Sequence, residues 1–225
     1  MFLKSLAASL TIGIALALAA CGPQGAGGGG SVTVMEGDSF IGNAASKVTV
    51  IEYGAPTCPG CKAWHDTNWS QLKTGYIDTN KIKFIFREFP SHNPPVDAAI
   101  FAMARCAGQA KYFGLIDEAF AKQPEIQTAH EAGEVMPALK TIGQKFGLSG
   151  GQVDACIKDK KNLDRIFAVR EMGDKDGVQY TPTFLINGKM AQDASFSGMK
   201  AQLDGLLGET PAAPAAAATP APTQQ

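Results

Sequence analysis

The sequence predicts an α/β fold in which a block of helices interrupts a compact unit of strands and helices. Two observations support this prediction. Short runs rich in β-branched and aromatic residues alternate with segments in which apolar residues recur at helical spacing. Between the second and third of these strand-like runs, a long helical stretch extends from about Val96 to Arg170. The body of the chain is long enough for one domain with a sizeable core that carries an insertion.

The first part of this unit consists of two strands and one helix. Lys47–Tyr53 is rich in β-branched residues and is followed by Gly54, so it predicts a strand. Cys58 to about Tyr76 has the apolar spacing of a helix. Lys81–Phe89 predicts a second strand, which Pro90 ends.

The second part follows the helical stretch. Glycine and proline residues predict breaks in that stretch near Gly114, Gln123–Pro124, Gly133–Pro137 and Gly147–Gly151. Thr183–Ile186 predicts a third strand, and Asn187-Gly188 is typical of a hairpin turn. We expect the return strand at Ala194–Phe196 and a final helix at Met199–Leu207.

Residues 1–20 predict an export signal. Lys4 precedes an apolar run from Leu6 to Leu18, which is too short for a permanent span because such a helix needs about 20 apolar residues. Leu18-Ala19-Ala20-Cys21 resembles the lipobox of bacterial lipoproteins, which implies cleavage before Cys21 and lipidation of its thiol. The residue after Cys21 is Gly22 and not an aspartate, which by analogy with enteric bacteria favours sorting to the outer membrane. The alternative is an ordinary secretory signal and a soluble periplasmic protein.

Two segments flank the predicted domain, which comprises residues 32–208. Residues 21–31 are rich in glycine and predict a flexible linker. Residues 209–225 consist mainly of Ala, Pro, Thr and Gln and predict a disordered tail. The formal net charge is -1 and no basic block is present, so nucleic acid is not an expected partner.

Cys58-Pro59-Gly60-Cys61 joins the first strand to the first helix and predicts a redox-active disulfide between Cys58 and Cys61. At the helix N-cap, Cys58 faces free backbone N–H groups and the positive end of the helix dipole. Both effects favour the thiolate, so we expect Cys58 to be the nucleophile with a lowered pKa. Cys61, one turn later, is the expected resolving thiol.

The same cysteines allow a second interpretation. His65 follows Cys61 by four residues, so Cys58, Cys61 and His65 are candidate ligands of copper or zinc. A structural zinc site normally has four ligands, and the remaining cysteines are single and distant. We therefore favour dithiol chemistry without a metal or an organic cofactor, and His65 as an exposed polar residue.

The order of these motifs resembles that of the DsbA-type disulfide oxidoreductases of the thioredoxin superfamily. A strand, the CPGC helix start, an embedded helical domain and Thr181-Pro182 before a strand carry the resemblance, which covers about residues 32–207. It implies a thioredoxin fold with an inserted all-helical domain at about 92–170. It also implies that Pro182 is a cis proline and that Thr181 contacts the substrate.

The resemblance extends to one acidic residue. Glu52, six residues before Cys58, matches a buried acid of the family and would shuttle protons for Cys61. An exposed Glu on the strand face is the alternative. The chain departs from the family at Gly60, where many members have a histidine, so we expect a less strongly lowered Cys58 pKa.

Cys106 and Cys156 lie in the predicted insertion, where some relatives carry a second, structural disulfide. Export to an oxidising compartment favours such a pair over two buried free thiols. The resemblance as a whole implies an oxidase that acts on reduced or unfolded exported proteins at the periplasmic face of a bacterial membrane. A DsbB-like, quinone-linked membrane protein would reoxidise it. The alternatives are a reductase or isomerase with the same dithiol, and a metal-handling lipoprotein.

Overall fold

A computed structural model of the chain describes residues 34–209. The predicted signal peptide, the lipidation site at Cys21, the linker at 21–31 and the tail beyond residue 209 lie outside the described residues. Within the described part, no helix is long and apolar enough to cross a membrane. The strands are β1 (Ser39–Gly42), β2 (Thr49–Gly54), β3 (Lys83–Glu88), β4 (Thr183–Ile186) and β5 (Lys189–Met190). The α-helices are α1 (Pro59–Trp64), α2 (Ser70–Leu72), α3 (Pro94–Ala107), α4 (Gln109–Ala121), α5 (Gln123–Glu131), α6 (Val135–Lys145), α7 (Gly150–Lys158), α8 (Lys160–Lys175) and α9 (Phe196–Leu207). Two π-helical segments, His65–Trp69 and Lys73–Ile77, follow α1 and α2, so the predicted helix from Cys58 to about Tyr76 is one helical stretch.

The five strands form one mixed sheet in the order β1-β3-β2-β4-β5. β2 pairs in parallel with β3 and antiparallel with β4. Every residue of β2 is buried, which agrees with its central place between two neighbours. The strand ends at Gly54, and the chain then turns into α1, so the dithiol lies at the carboxyl end of the central strand.

The two faces of the sheet belong to two different hydrophobic cores. Along β2, Val50 belongs to the larger core, which includes side chains of α1, α9 and the helices of the insertion. Ile51 and Tyr53 belong to a smaller core that contains Val169 of α8. Because successive strand residues point to opposite faces, Glu52 lies on the face of the larger core, the face that α1 covers.

The inserted helices α3 to α8 separate β3 from β4. The structure joins α3 to α7 by a disulfide between Cys106 and Cys156, 50 residues apart in sequence. The predicted break near Gly114 is wrong, because Gly114 lies inside α4; the chain turns instead at Gly108, which has a φ of 87°. Positive φ is easy for glycine because it has no Cβ.

The hairpin after β4 also differs from the prediction. Asn187 and Gly188 both have positive φ, 47° and 75°, which is the requirement of a two-residue turn that returns the chain at once. The return strand is therefore Lys189–Met190, not Ala194–Phe196. Strand β1, which the sequence patterns did not predict, is only four residues long.

Candidate active site

The helix that carries the dithiol begins with its nucleophile candidate as the cap. Cys58 is the N-cap of α1 with extended backbone angles, and Pro59 occupies the first helical turn. The Cys58 sulfur accepts a hydrogen bond from the backbone N–H of Cys61 at 3.2 Å. This N–H would otherwise lack a partner, so the sulfur performs the capping role that a Ser or Asp oxygen usually has. Pro59 costs no hydrogen bond there because the first N–H groups of a helix have no acceptor.

The pKa values of the two thiols are shifted in opposite directions. A hydrogen bond from the Cys61 thiol lowers the pKa of Cys58 to about 6, against the opposing effect of burial, and the backbone N–H groups of Cys61 and Gly60 lower it further. Burial raises the pKa of Cys61 well above the ordinary range, and the Cys58 hydrogen bond and the charge of Glu52 raise it further. Both sulfurs are reduced in this structure. The site therefore holds one thiolate and one protonated thiol near neutral pH.

The loop before β4 lies against this helix start. The peptide bond between Thr181 and Pro182 is cis. The Cys58 sulfur lies 3.3 Å from the carbonyl oxygen of Thr181, to which the thiol donates a hydrogen bond in its protonated form. A Cβ added to Gly60 would lie 3.5 Å from both the Pro182 ring and the Thr181 carbonyl oxygen. The second intervening residue of the motif thus faces the same loop as the nucleophile candidate.

Glu52 and His65 form a buried pair beneath the dithiol. Glu52 is fully buried, and His65 is 8% exposed. The Nε2 of His65 lies 3.1 Å from each carboxylate oxygen of Glu52. The imidazole stacks on Phe120 of the insertion with ring centroids 4.2 Å apart. The expectation that His65 is exposed is wrong, because the π-helical segment His65–Trp69, which follows α1, packs this side chain into the core, and Glu52 supplies the polar partner that burial requires.

The candidate metal site does not form in the described chain. Between residues 34 and 209, no group of three or more His, Cys, Asp or Glu side chains is placed to hold a metal ion. The Nε2 of His65 is directed at Glu52, while the Cys58 sulfur is directed at Thr181. The geometry does not support Cys58, Cys61 and His65 as a ligand set.

Sequence patterns missed two residues of the insertion that support the site. Gln123, at the start of α5, donates hydrogen bonds to the carbonyls of Pro56 and Cys58 at 2.6 and 3.1 Å. Asp97, in the first turn of α3, accepts two hydrogen bonds from Thr57. An acidic residue in a first helical turn normally indicates only a favourable charge for the helix dipole. No local signal could have placed either side chain against the dithiol turn.

Comparison with known proteins agrees with this geometry. A family model described as thioredoxin matches residues 34–205. A protein of Rickettsia bellii, named as a protein-disulfide oxidoreductase, is 33% identical over 176 residues, which cover 78% of this chain and 66% of that protein. The chain therefore spans slightly less than two thirds of the length of that relative.

Two solved structures have a similar fold. The crystal structure of alpha-DsbA1 from Wolbachia pipientis has a TM-score of 0.67 at 24% identity and covers 78% of this chain and 93% of its own. Oxidised BdbD from Bacillus subtilis has a TM-score of 0.68 at 18% identity and covers 78% and 95%. These similarities confirm the predicted thioredoxin-like sheet with an inserted helical region.

Proposed function

Because this chain belongs to the thioredoxin family and has a DsbA-like fold, we propose that it is a protein-disulfide oxidoreductase that donates the Cys58–Cys61 disulfide to reduced exported proteins. The observation that carries this proposal is that the pKa values of the two thiols are shifted in opposite directions. The pKa of Cys58 is lowered to about 6, whereas that of Cys61 is raised. In thiol–disulfide exchange a sulfur with a low pKa leaves readily. A client bound to Cys58 is therefore released easily with its own disulfide.

The proposed cycle needs only thiol chemistry. A client thiolate attacks Cys58 of the oxidised enzyme, the bond between Cys58 and Cys61 breaks, and Cys61 leaves with the electron pair. Cys61 takes up a proton, since its pKa is raised, and Glu52 is the acid we propose to deliver it. A second client thiolate then attacks the client sulfur of the mixed disulfide. Cys58 leaves as a thiolate, so two electrons have passed from the client dithiol to the enzyme.

The client is proposed to bind along the loop that precedes β4. Thr181 lies beside Cys58 and presents its backbone to it. Tyr180, the preceding residue, is 66% exposed, although large aromatic side chains are usually much more buried. An extended, unfolded client has backbone groups that are free to pair with those of such an exposed loop. We propose Thr181 as a substrate contact and Pro182 as part of the surface against which the client lies.

The cycle also requires a partner and a location. Reoxidation of the Cys58–Cys61 dithiol removes two electrons, and we propose a DsbB-like, quinone-linked membrane protein as the acceptor. Lipidation of Cys21 would hold the enzyme at the periplasmic face of a membrane, with the outer membrane favoured by Gly22. Membrane fractionation of the wild-type protein and of Cys21→Ala tests this anchor. An equal membrane-bound fraction of both would contradict it.

The reduction potential of the Cys58–Cys61 couple tests the proposed direction of electron flow. We would equilibrate the purified protein with glutathione buffers and measure the oxidised fraction. A value near about -120 mV is expected of a disulfide donor, whereas a value near about -270 mV would indicate a reductase. In parallel, the oxidised protein should convert a peptide with two reduced cysteines to its disulfide. Cys58→Ala is the matched control and should convert none.

A further inference from the structure

Asp97 is a fully buried acidic residue that the cycle above does not use. It lies in the first turn of α3, where the inserted helices begin, and its exposed fraction is 0%. Burying a carboxyl group costs free energy unless hydrogen bonds replace those of water. The partners of Asp97 therefore indicate what its burial supports, and they lie on two other segments of the chain.

The first segment is the turn that presents the nucleophile. The backbone N–H of Thr57 donates to Asp97 Oδ1 at 2.8 Å, and its hydroxyl donates to Oδ2 at 2.9 Å. Thr57 is the residue immediately before Cys58 and is itself buried. Two hydrogen bonds to a single carboxylate hold both the backbone and the side chain of this residue in one orientation.

The second segment is the loop between β3 and α3. The backbone N–H of Ser91 donates to Asp97 Oδ2 at 3.1 Å. The Ser91 hydroxyl in turn accepts a hydrogen bond from the Thr181 hydroxyl at 3.0 Å. Since the Cys58 thiol contacts the Thr181 carbonyl, these contacts form a closed ring around the nucleophile. Asp97 is the member of the ring that comes from the inserted helices.

The charge of Asp97 also affects the site. Burial raises the pKa of Asp97 to about 6, its hydrogen bonds from Ser91 and Thr57 oppose this, and the charge of Cys58 raises it further. Cys58 is the titratable group that faces Asp97, while Thr57 and Ser91 are neutral. Two negative charges at close range disfavour each other, so the ionisation of either group hinders that of the other.

We propose that Asp97 is a positioning residue of the dithiol site, which orients Cys58 through Thr57, braces the Ser91–Thr181 edge and opposes the Cys58 thiolate by its like charge. This inference rests on the proposed dithiol function, but it is independent of the direction of electron flow. The inserted helices then do more than cover the sheet, because they contribute the acid that sets both the place and the charge of the nucleophile.

The first test uses the wild-type protein. Carbon-13 NMR of the Asp97 side chain would follow its titration in the oxidised and in the reduced protein. The oxidised site has no charge on Cys58, so Asp97 should ionise at a lower pH there than in the reduced protein. Titration at the same pH in both redox states would overturn the electrostatic part of the proposal, whatever the behaviour of any variant.

The second test is Asp97→Asn, which removes the charge and keeps an oxygen acceptor. Thiolate absorbance at 240 nm, followed from pH 5 to 8, should show Cys58 ionising at a lower pH in the variant, with up to about twofold more thiolate near pH 6, where Asp97 is partly ionised in the wild type. Oxidation of the two-cysteine peptide should be about fivefold to tenfold slower, because the turn is less firmly oriented. The matched control is Asp204→Asn, which alters another buried acid, one that binds Tyr76, and should leave the Cys58 titration unchanged.

The outcomes separate this inference from the proposed function. A lower unfolding stability of Asp97→Asn with an unchanged Cys58 titration would mean that Asp97 serves the fold alone, and it would overturn the proposal. If Asp97→Asn does not fold, Thr57→Val removes one of the two Thr57 contacts and should slow peptide oxidation while leaving the thiolate titration in place. Unchanged peptide oxidation by Thr57→Val would also contradict the positioning role. A wild-type protein with the expected Asp97 titrations but no peptide oxidation would refute only the proposed function.

Discussion

The lowered pKa of Cys58 makes the stability of the reduced protein depend on pH. The ordinary thiol pKa is 9.0, and that of Cys58 is about 6 in the folded protein. A group whose folded pKa is lowered contributes stability that is fully present above its unfolded pKa and is lost as the pH falls through its folded pKa. The reduced protein should therefore gain stability as the pH rises from about 6 toward 9. The oxidised protein has no ionisable thiol at this position and should lack this gain.

The size of the effect follows from the same two values. The difference between the ordinary pKa of 9.0 and the folded pKa of about 6 corresponds to about 4 kcal/mol of added unfolding free energy once the pH has passed both values. Pro59 and Gly60 beside the sulfur are exposed, so solvent screens the thiolate and we expect about half of this. Between pH 6 and 8, the free energy of unfolding of the reduced protein should rise by about 1–2 kcal/mol.

Two other groups set the limits of the useful range. The pKa of Asp97 is raised to about 6, so its ionisation lowers the stability as the pH rises from about 4 to 6. The raised pKa of Cys61 lowers the stability above about pH 9, where this thiol ionises in the unfolded chain. Between pH 6 and 8 the change in stability therefore comes mainly from Cys58, and comparison with a variant that lacks this thiol removes the small remaining contribution of Asp97.

Urea unfolding of the reduced protein at several pH values measures this dependence. The matched control is Cys58→Ser, which keeps a small polar side chain but does not ionise, and its stability should be nearly constant over the same range. An equal slope in the wild type and in Cys58→Ser would refute the assignment of the effect to this thiolate. A wild-type stability that falls from pH 6 to 8 would refute the lowered pKa itself.

Three further predictions concern other parts of the site and the insertion. Gly60→His should fit, because a Cβ at this position would make only ordinary contacts, and the positive charge of the protonated imidazole should lower the pKa of Cys58 further. Glutathione equilibration should then give a more oxidising couple, by about 30 mV for each tenfold change in the equilibrium constant with glutathione. An unchanged reduction potential would contradict this prediction. Glu52→Gln should slow peptide oxidation at pH 7 by about tenfold or more, since it removes the proposed proton donor to Cys61. The rate at which Cys58 of the reduced protein is alkylated should stay within about twofold of the wild-type rate. An equal loss of rate in both assays would indicate a disturbed fold. Replacing Cys106 and Cys156 by Ala should lower the free energy of unfolding by about 2–4 kcal/mol, because the disulfide closes a loop of 50 residues. Urea unfolding with and without reductant measures this, and the loss of stability that reductant causes by breaking the Cys106–Cys156 disulfide should be absent from the double variant.

The sequence alone was sufficient for the local chemistry of the site. A strand that ends at a glycine, followed by Cys58 at a helix start and Cys61 one turn later, predicts the cap and the lowered pKa of Cys58, because capping depends on neighbours within one turn. The order of strands and helices was likewise predictable, since burial of a strand or a helix face leaves a period in the sequence. The place of Thr181 beside Cys58 came only from the resemblance to a family, because 123 residues separate them.

The tertiary structure decided what lies behind the dithiol. His65 was expected at the surface, but it is buried against Glu52, which is 13 residues away. Asp97 and Thr57 are 40 residues apart and belong to different parts of the fold. Periodicity indicates which face of an element is buried, but it does not indicate which distant side chain covers that face. The sequence itself therefore determined the cysteine that caps the helix, and the resemblance supplied Glu52 as a buried acid. Only folding decided the partner of Glu52 and the place of Asp97, because those contacts exist only once the helices pack against the sheet.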